Sequence, residues 1–123
     1  MKDVRDYNKW TDWRKSNFHY FVKHLGDLRA TDKVLDVGAG PQQFKNLFKN
    51  CELTAVDFKE YEGIDIVADV TKGLPCESNS FDIVVLSNVL EHIPEPEYLL
   101  KECYRVLKPK GKILITVPFI IKI

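Results

Sequence analysis

An α/β fold built on a parallel sheet of about five strands is what this chain of 123 residues predicts. Three observations carry the prediction. Short apolar runs alternate with segments of helical periodicity over short connections, the pattern of repeated strand–helix–strand units. Two of those runs, Val34–Val37 and Phe81–Leu86, are nearly continuous in apolar character, as strands buried on both faces are. Finally, the predicted strand ends carry polar side chains: Asp36, Asp57, Asp69 and the Ser87–Asn88 pair. Right-handed crossovers bring the carboxyl ends of parallel strands to one edge of the sheet, and ligands bind beyond that edge.

The elements follow in order. Met1 to Asn8 is polar and is expected to fray. Trp10 to Leu28 has helical periodicity, with Trp10, Trp13, Phe18, Phe21, Val22 and Leu25 at spacings of three and four. Such an aromatic stripe reads first as packing on the sheet; the alternative is that Trp10, Trp13 or Tyr20 roofs a ligand pocket. Lys33–Val37 is the first strand. Pro41–Lys49 follows as a helix with Phe44, Leu47 and Phe48 inward, Pro41 being tolerated in its first turn. Glu52–Asp57 is the second strand and Ile64–Ala68 a short third. Thr71–Ser80 is a loop rich in breakers. Phe81–Leu86 is the fourth strand, Glu95–Leu107 a helix with Leu99, Leu100, Cys103, Val106 and Leu107 inward, and Lys112–Val117 the fifth strand, ended by Pro118.

Length and composition fit one domain, residues 1–123, with a helix at about 10–28 and a sheet core at 33–118. Eighteen basic and eighteen acidic side chains cancel, and no Lys/Arg-dense run is present, so nothing argues for a nucleic acid partner. Cys51, Cys76 and Cys103 have neither paired nor metal-like spacing; they read as core fillers, with a reducing, cytoplasmic setting and no bound metal expected. No apolar run approaches the length of a membrane span.

The run Val34-Leu35-Asp36-Val37-Gly38-Ala39-Gly40 is the most informative segment. A strand that stops in a Gly-x-Gly turn and feeds a helix is a place to hold a nucleotide-like ligand. A dinucleotide fingerprint requires a third glycine, and Gln43 stands in its place. Asp36, two residues before the first glycine, would repel a pyrophosphate. It suits a ligand carrying an ammonium group.

The run above, then Ala55-Val56-Asp57-Phe58, Ala68-Asp69-Val70 followed by Leu74-Pro75, the stretch from Phe81 to Ile93 and that from Tyr104 to Pro118 resemble, in order and spacing, the successive motifs of class I S-adenosylmethionine-dependent methyltransferases of the small-molecule type. The resemblance spans Lys33 to Pro118. It implies a three-layer Rossmann-like methyltransferase fold with strand order 3-2-1-4-5 and S-adenosylmethionine as cofactor, with S-adenosylhomocysteine as product. By the same resemblance Asp36 holds the methionine amino group, and Gly38, Ala39 and Gly40 form the turn beneath it. Asp57 accepts from both ribose hydroxyls, Phe58 lies against adenine, and Asp69 accepts from the adenine amino group, with the Val70 N–H beside it. Ser87 and Asn88 line the methyl-donor pocket. Each reading has a plainer counterpart, since Asp36, Asp57 and Asp69 also suit turn capping and Phe58 suits packing. His92, beside Glu91, is read first as a packed residue and only second as a general base.

Two departures accompany the resemblance. The family's turn continues with a glycine where Gln42 stands; its side chain either narrows the pocket beside the methionine part or turns away. The family's final antiparallel hairpin has no counterpart, which leaves the fifth strand as an apolar edge that self-association or the Phe119–Ile123 tail would cover. Three functions follow: a methyltransferase acting on a small-molecule acceptor, with Trp10, Trp13 and Tyr20 the acceptor-side groups by elimination; a truncated or non-catalytic domain that only binds the cofactor or its product; and, disfavoured by Gln43, a nicotinamide oxidoreductase domain.

Overall fold

The computed structural model describes residues 7–26, 28–42 and 44–118; the expectations for Met1–Asp6, Gln43 and the Phe119–Ile123 tail fall outside them. Five strands form one sheet: β1 (Lys33–Val37), β2 (Glu52–Asp57), β3 (Ile66–Val67), β4 (Phe81–Ser87) and β5 (Leu107–Thr116). Their order is β3-β2-β1-β4-β5, and every pairing is parallel. The order reverses at β1, so the crevice above β1 and β4 is the place for a ligand. Two α-helices flank the sheet, α1 (Asp12–Leu25) and α2 (Pro96–Val106). Among the described residues no helix is long and apolar enough to cross a membrane.

The period-two alternation of the strands splits the core between the two faces. Leu35, Val37, Val84 and Leu86 join Leu99, Cys103 and Val106 of α2 on one face. Val34, Ile83, Val85 and Leu114 join Phe21 and Leu25 of α1, with Trp10, Phe44 and Phe48, on the other. Leu99 is fully buried, and burying such a side chain stabilises the fold by about 1.5–3 kcal/mol.

Several boundaries differ from the sequence expectation, each for a local reason. The first helix begins after Trp10, because Thr11 caps it by accepting the Arg14 N–H (3.2 Å), and it stops at Gly26, whose φ of +64° ends the helical path. Trp10 still packs: its ring lies 5.5 Å from Phe18 and 5.4 Å from Phe44. Trp13 and Val22 do not, being nearly half exposed. Residues Tyr7–Lys9 form a 3₁₀ turn instead of fraying, with the Tyr7 ring 5.2 Å from that of Trp10 and tilted to it by 59°. The helix expected at Pro41–Lys49 is a 3₁₀ turn, Lys45–Phe48. Gln42 adopts a left-handed φ of +54°, which interrupts right-handed helical geometry one residue after Pro41. The third strand keeps only Ile66–Val67 of the expected Ile64–Ala68. β5 starts at Leu107 instead of Lys112, directly from the end of α2, with an irregular register opposite Phe81 and Ile83.

One side chain ties α2 to the β3–β4 connection. Arg105 donates to Glu102 (2.7 Å), to the Cys76 carbonyl (2.9 Å) and to the Leu74 carbonyl (2.9 Å), while Glu102 also accepts the Leu74 N–H (2.9 Å). The Arg105 guanidinium, then the Leu74 N–H, hold the Glu102 carboxyl below the usual glutamate range. Its contribution is therefore present above the unfolded-state pKa and is lost as pH falls through the depressed value. Replacing Arg105 by Ala is expected to cost about 1–3 kcal/mol in urea unfolding, with Lys giving little rescue because it lacks the planar fork. A loss under about 0.5 kcal/mol would show that the loop is held by packing alone.

Candidate functional site

The turn after β1 is shaped by β2. The Gly38 and Ala39 N–H groups both donate to the Val56 carbonyl (2.8 and 3.0 Å), and the Gly40 N–H donates to Asp57 Oδ2 (2.8 Å). Gly38 has a φ of +72°, and a Cβ there would lie 2.6 Å from Val89 Cγ2. Glycine is thus favoured there by the backbone angle and by the contact with Val89. Gln42 is 3% exposed and touches neither cavity described below. Its amide nitrogen packs where a Cβ on Gly63 would be, and that nitrogen has no hydrogen-bond partner among the described residues. Of the two outcomes open for Gln42, the side chain takes the second and turns away.

The strand ends supply two acids in contrasting settings. Asp57 is 5% exposed and fully engaged with backbone, Oδ2 holding Gly40 and Oδ1 accepting the Lys59 N–H (3.0 Å). Each of its oxygens keeps a free lone pair. Asp36 makes no hydrogen bond or ion pair among the described residues. It is half-buried and walled by protein; desolvation, and secondarily the Asp57 charge, push its carboxyl up to about 7. Asp69 does cap a turn: its Oδ1 accepts from the Thr71 hydroxyl (2.6 Å) and N–H (3.0 Å), and these bonds lower its pKa.

Two cavities meet at Gly38 and Asn88. The larger, about 740 Å³, is lined by Gly38, Asp57, Phe58, Asp69, Val70, Thr71, Asn88, Val89, His92 and Ile93. The smaller, about 220 Å³, is lined by Asp36, Gly38, Ala39, Gly40, Pro41, Ser87 and Asn88, with Phe21, Phe44, Phe48 and Val85 as its apolar wall. All the cofactor-side positions singled out in the sequence therefore border one cavity or the other. Phe58 is 69% exposed and so is not a packing residue. His92 is exposed at the rim of the larger cavity, and exposed Glu91 lies outside both. Trp10 lines neither, being enclosed in the aromatic cluster. Trp13 and Tyr20 line a separate groove with Ile115 and Val117.

Sequence reasoning missed Val89, Ile93 and Thr71 in the larger cavity and the phenylalanine wall of the smaller. The apolar spacing of Phe21, Phe44 and Phe48 signalled burial but not which void they border. It also missed Asn17, which is 2% exposed within α1. Burial raises all three thiols, Cys103 to about 12; Cys103 is fully buried, Cys51 and Cys76 partly.

The methyltransferase domain family matches residues 35–115. A demethylmenaquinone methyltransferase of Paenarthrobacter aurescens is 29% identical over 94% of this chain and 48% of its own length. An uncharacterised protein of Methanocaldococcus jannaschii is 32% identical over 95% of this chain and 61% of its own. The chain spans about half the length of the curated relatives it matches. Among solved structures, a SAM-dependent methyltransferase of Archaeoglobus fulgidus superposes with a TM-score of 0.69 at 26% identity, over 85% of this chain and 53% of that one. The YcgJ protein of Bacillus subtilis gives 0.71 at 24%, over 82% and 50%, a likeness of fold. With the family match covering the sheet from β1 to β5, the chain belongs to the methyltransferase domain family, within the class I S-adenosylmethionine-dependent superfamily whose motifs it carries.

Proposed function

We propose that this chain binds S-adenosylmethionine across the two joined cavities and directs its methyl group to a small-molecule acceptor. The observation that carries the reading is the pairing of acids: an unpartnered carboxylate, Asp36, in the smaller cavity and a backbone-anchored one, Asp57, in the larger. An ammonium group in the smaller cavity would restore the ionised form of Asp36, which protein alone disfavours. A vicinal diol in the larger one would use the two lone pairs left on Asp57. Exposed Phe58 offers a flat face beside it, and the free oxygen of Asp69 offers an acceptor for an exocyclic amine. The residues present fit the cofactor.

When bound, S-adenosylmethionine supplies a methyl carbon that any aligned nucleophile can attack. The protein's part is then proximity and alignment. Gly38 and Asn88, shared by both cavities, are assigned to the sulfonium region. His92 borders only the larger cavity, and so is assigned to the nucleoside rim and not to proton transfer. A domain that binds without turnover would use the same residues; product formation across acceptor classes separates the two.

Two measurements test this reading. Calorimetric titration should show S-adenosylhomocysteine binding, weakened about tenfold or more in Asp57→Asn, because an amide cannot accept at both ends. NAD binding in place of S-adenosylhomocysteine would overturn the assignment. The second concerns pH. Asp36 has a folded-state pKa raised to about 7, so the ligand-free protein loses stability as pH rises from the ordinary carboxylate range through 7, and no more above it. Affinity for the ammonium-bearing product moves the opposite way. It should fall by up to about tenfold per unit below pH 7, with proton release on binding. Asp36→Asn should abolish this pH dependence and lower the affinity at pH 8; an unchanged profile would remove Asp36 from the ammonium site.

A further inference from the structure

The smaller cavity is chemically one-sided. Phe21, Phe44, Phe48 and Val85 make its apolar wall, and Asp36 is the one ionisable side chain among the described residues that line it. A glycine turn after a strand commonly offers backbone N–H groups to an anion. Here none is left over. Gly38 and Ala39 both donate to the Val56 carbonyl, and Gln42 donates to the Ala39 carbonyl at 2.9 Å. Gly40 donates to Asp57 Oδ2, and Pro41 has no N–H. Beyond β4, the Asn88 N–H donates to the Thr116 carbonyl (2.9 Å), and its amide donates to Asn17 Oδ1 (3.4 Å). An anion would find only the Ser87 hydroxyl and the second amide hydrogen of Asn88, both neutral. Arg14 of α1 lies 4.2 Å over the Trp10 ring, which packs 5.4 Å from Phe44, and does not line the cavity.

A charged group entering this cavity exchanges water for a wall that is apolar on one side and negative on the other. For an ammonium the exchange is favourable. It meets the unpartnered Asp36 carboxylate, and aromatic rings accept a cation against their faces. For a carboxylate the exchange is unfavourable. It gains two neutral donors, stands beside the like charge of Asp36, and loses its hydration to a largely apolar surround. Asp57, which holds the Gly40 N–H, adds a second negative charge behind the turn. An α-amino acid carries its ammonium and its carboxylate on one carbon. An ammonium placed at Asp36 therefore draws its own carboxylate into the same cavity.

Building on the proposed cofactor site, we infer that the smaller cavity selects a side arm that ends in an alkylammonium and carries no carboxylate, so that decarboxylated adenosyl sulfonium compounds and thioethers are better ligands than their amino-acid forms. Asp36 makes the selection by contact with the ammonium. The internal hydrogen bonds of the Gly38–Gln42 turn make it by leaving a carboxylate without backbone donors. The larger cavity holds the nucleoside in the same way for both kinds of ligand. S-adenosylhomocysteine still binds, with its carboxylate counting against its affinity.

Calorimetric titration at pH 8 with three probes tests this. They are 5′-methylthioadenosine, which has no charged arm, S-adenosylhomocysteine, and its decarboxylated form, S-adenosyl-3-thiopropylamine. The thiopropylamine should bind about tenfold or more tighter than S-adenosylhomocysteine, and tighter than 5′-methylthioadenosine by a similar factor. Asp36→Asn should bring the thiopropylamine to the level of 5′-methylthioadenosine. Binding of 5′-methylthioadenosine itself should stay unchanged, which shows that the variant is folded. Failure of all three probes to bind overturns the cofactor reading and this one with it. Binding of S-adenosylhomocysteine as tightly as the thiopropylamine, or more tightly, overturns the assignment of the arm alone, because a cation such as Arg14 must then reach the carboxylate. A thiopropylamine preference that survives Asp36→Asn also overturns it.

Discussion

The Asp57 carboxylate is the point on which the site depends. It ends β2, accepts the Gly40 N–H at 2.8 Å from the turn after β1, and accepts the Lys59 N–H at 3.0 Å from its own following turn. Two loops from adjacent strands are thereby fixed to one side chain. A charge-assisted hydrogen bond of this kind is worth about 1.5–3 kcal/mol, more than a neutral one. The Val56 carbonyl reinforces it by taking both the Gly38 and Ala39 N–H groups. The glycine turn therefore owes its shape to β2 as much as to its own residues, and Gly38 fits beneath Val89 only because the turn is held there.

The same arrangement explains why Asp36 can remain unpaired. The Asp57 carboxylate accepts two backbone N–H groups; Asp36, with none, carries both the cost of desolvation and the repulsion of its neighbour. An acid so placed opposes the stability of the free protein near neutral pH. Nothing in the core requires it, since Val34 and Val85 on the same face are fully or nearly fully buried without a polar partner. Under the proposed function it is a binding group whose compensation arrives with a cation.

The strands and their polar ends were legible in the sequence because both rest on local patterns: near-continuous apolar runs for buried strands, and a Gly-x-Gly turn after the first; the strand order followed only from the resemblance of the motifs. Helical spacing was a poorer guide. Phe44 and Phe48 stand four apart, yet the chain between β1 and β2 forms only a 3₁₀ turn, since Gln42 takes a left-handed conformation that no periodicity reveals. Trp13 and Val22 share the aromatic stripe of α1 but point to solvent, because the stripe is wider than the face the sheet can cover. Asn17 was invisible for the converse reason. A polar residue amid aromatics reads as a solvated position until the partner that buries it, Asn88, is brought over from the end of β4.

The proposed cofactor site is made by the ends of β1, β2 and β4, whose parallel register and shared turn leave little freedom, with Phe21 of α1 in its wall. α1 meets the strands through Phe21 and Leu25 in the core, through the Asn17–Asn88 amide pair after β4, and through the Lys112 ammonium, which donates to the His24 carbonyl at 2.7 Å. The strand-end motifs in a sequence identify the fold family and are silent about the acceptor. Asn88 joins these elements, since its backbone N–H donates to the Thr116 carbonyl of β5 and its amide to Asn17 of α1 while it borders both cavities.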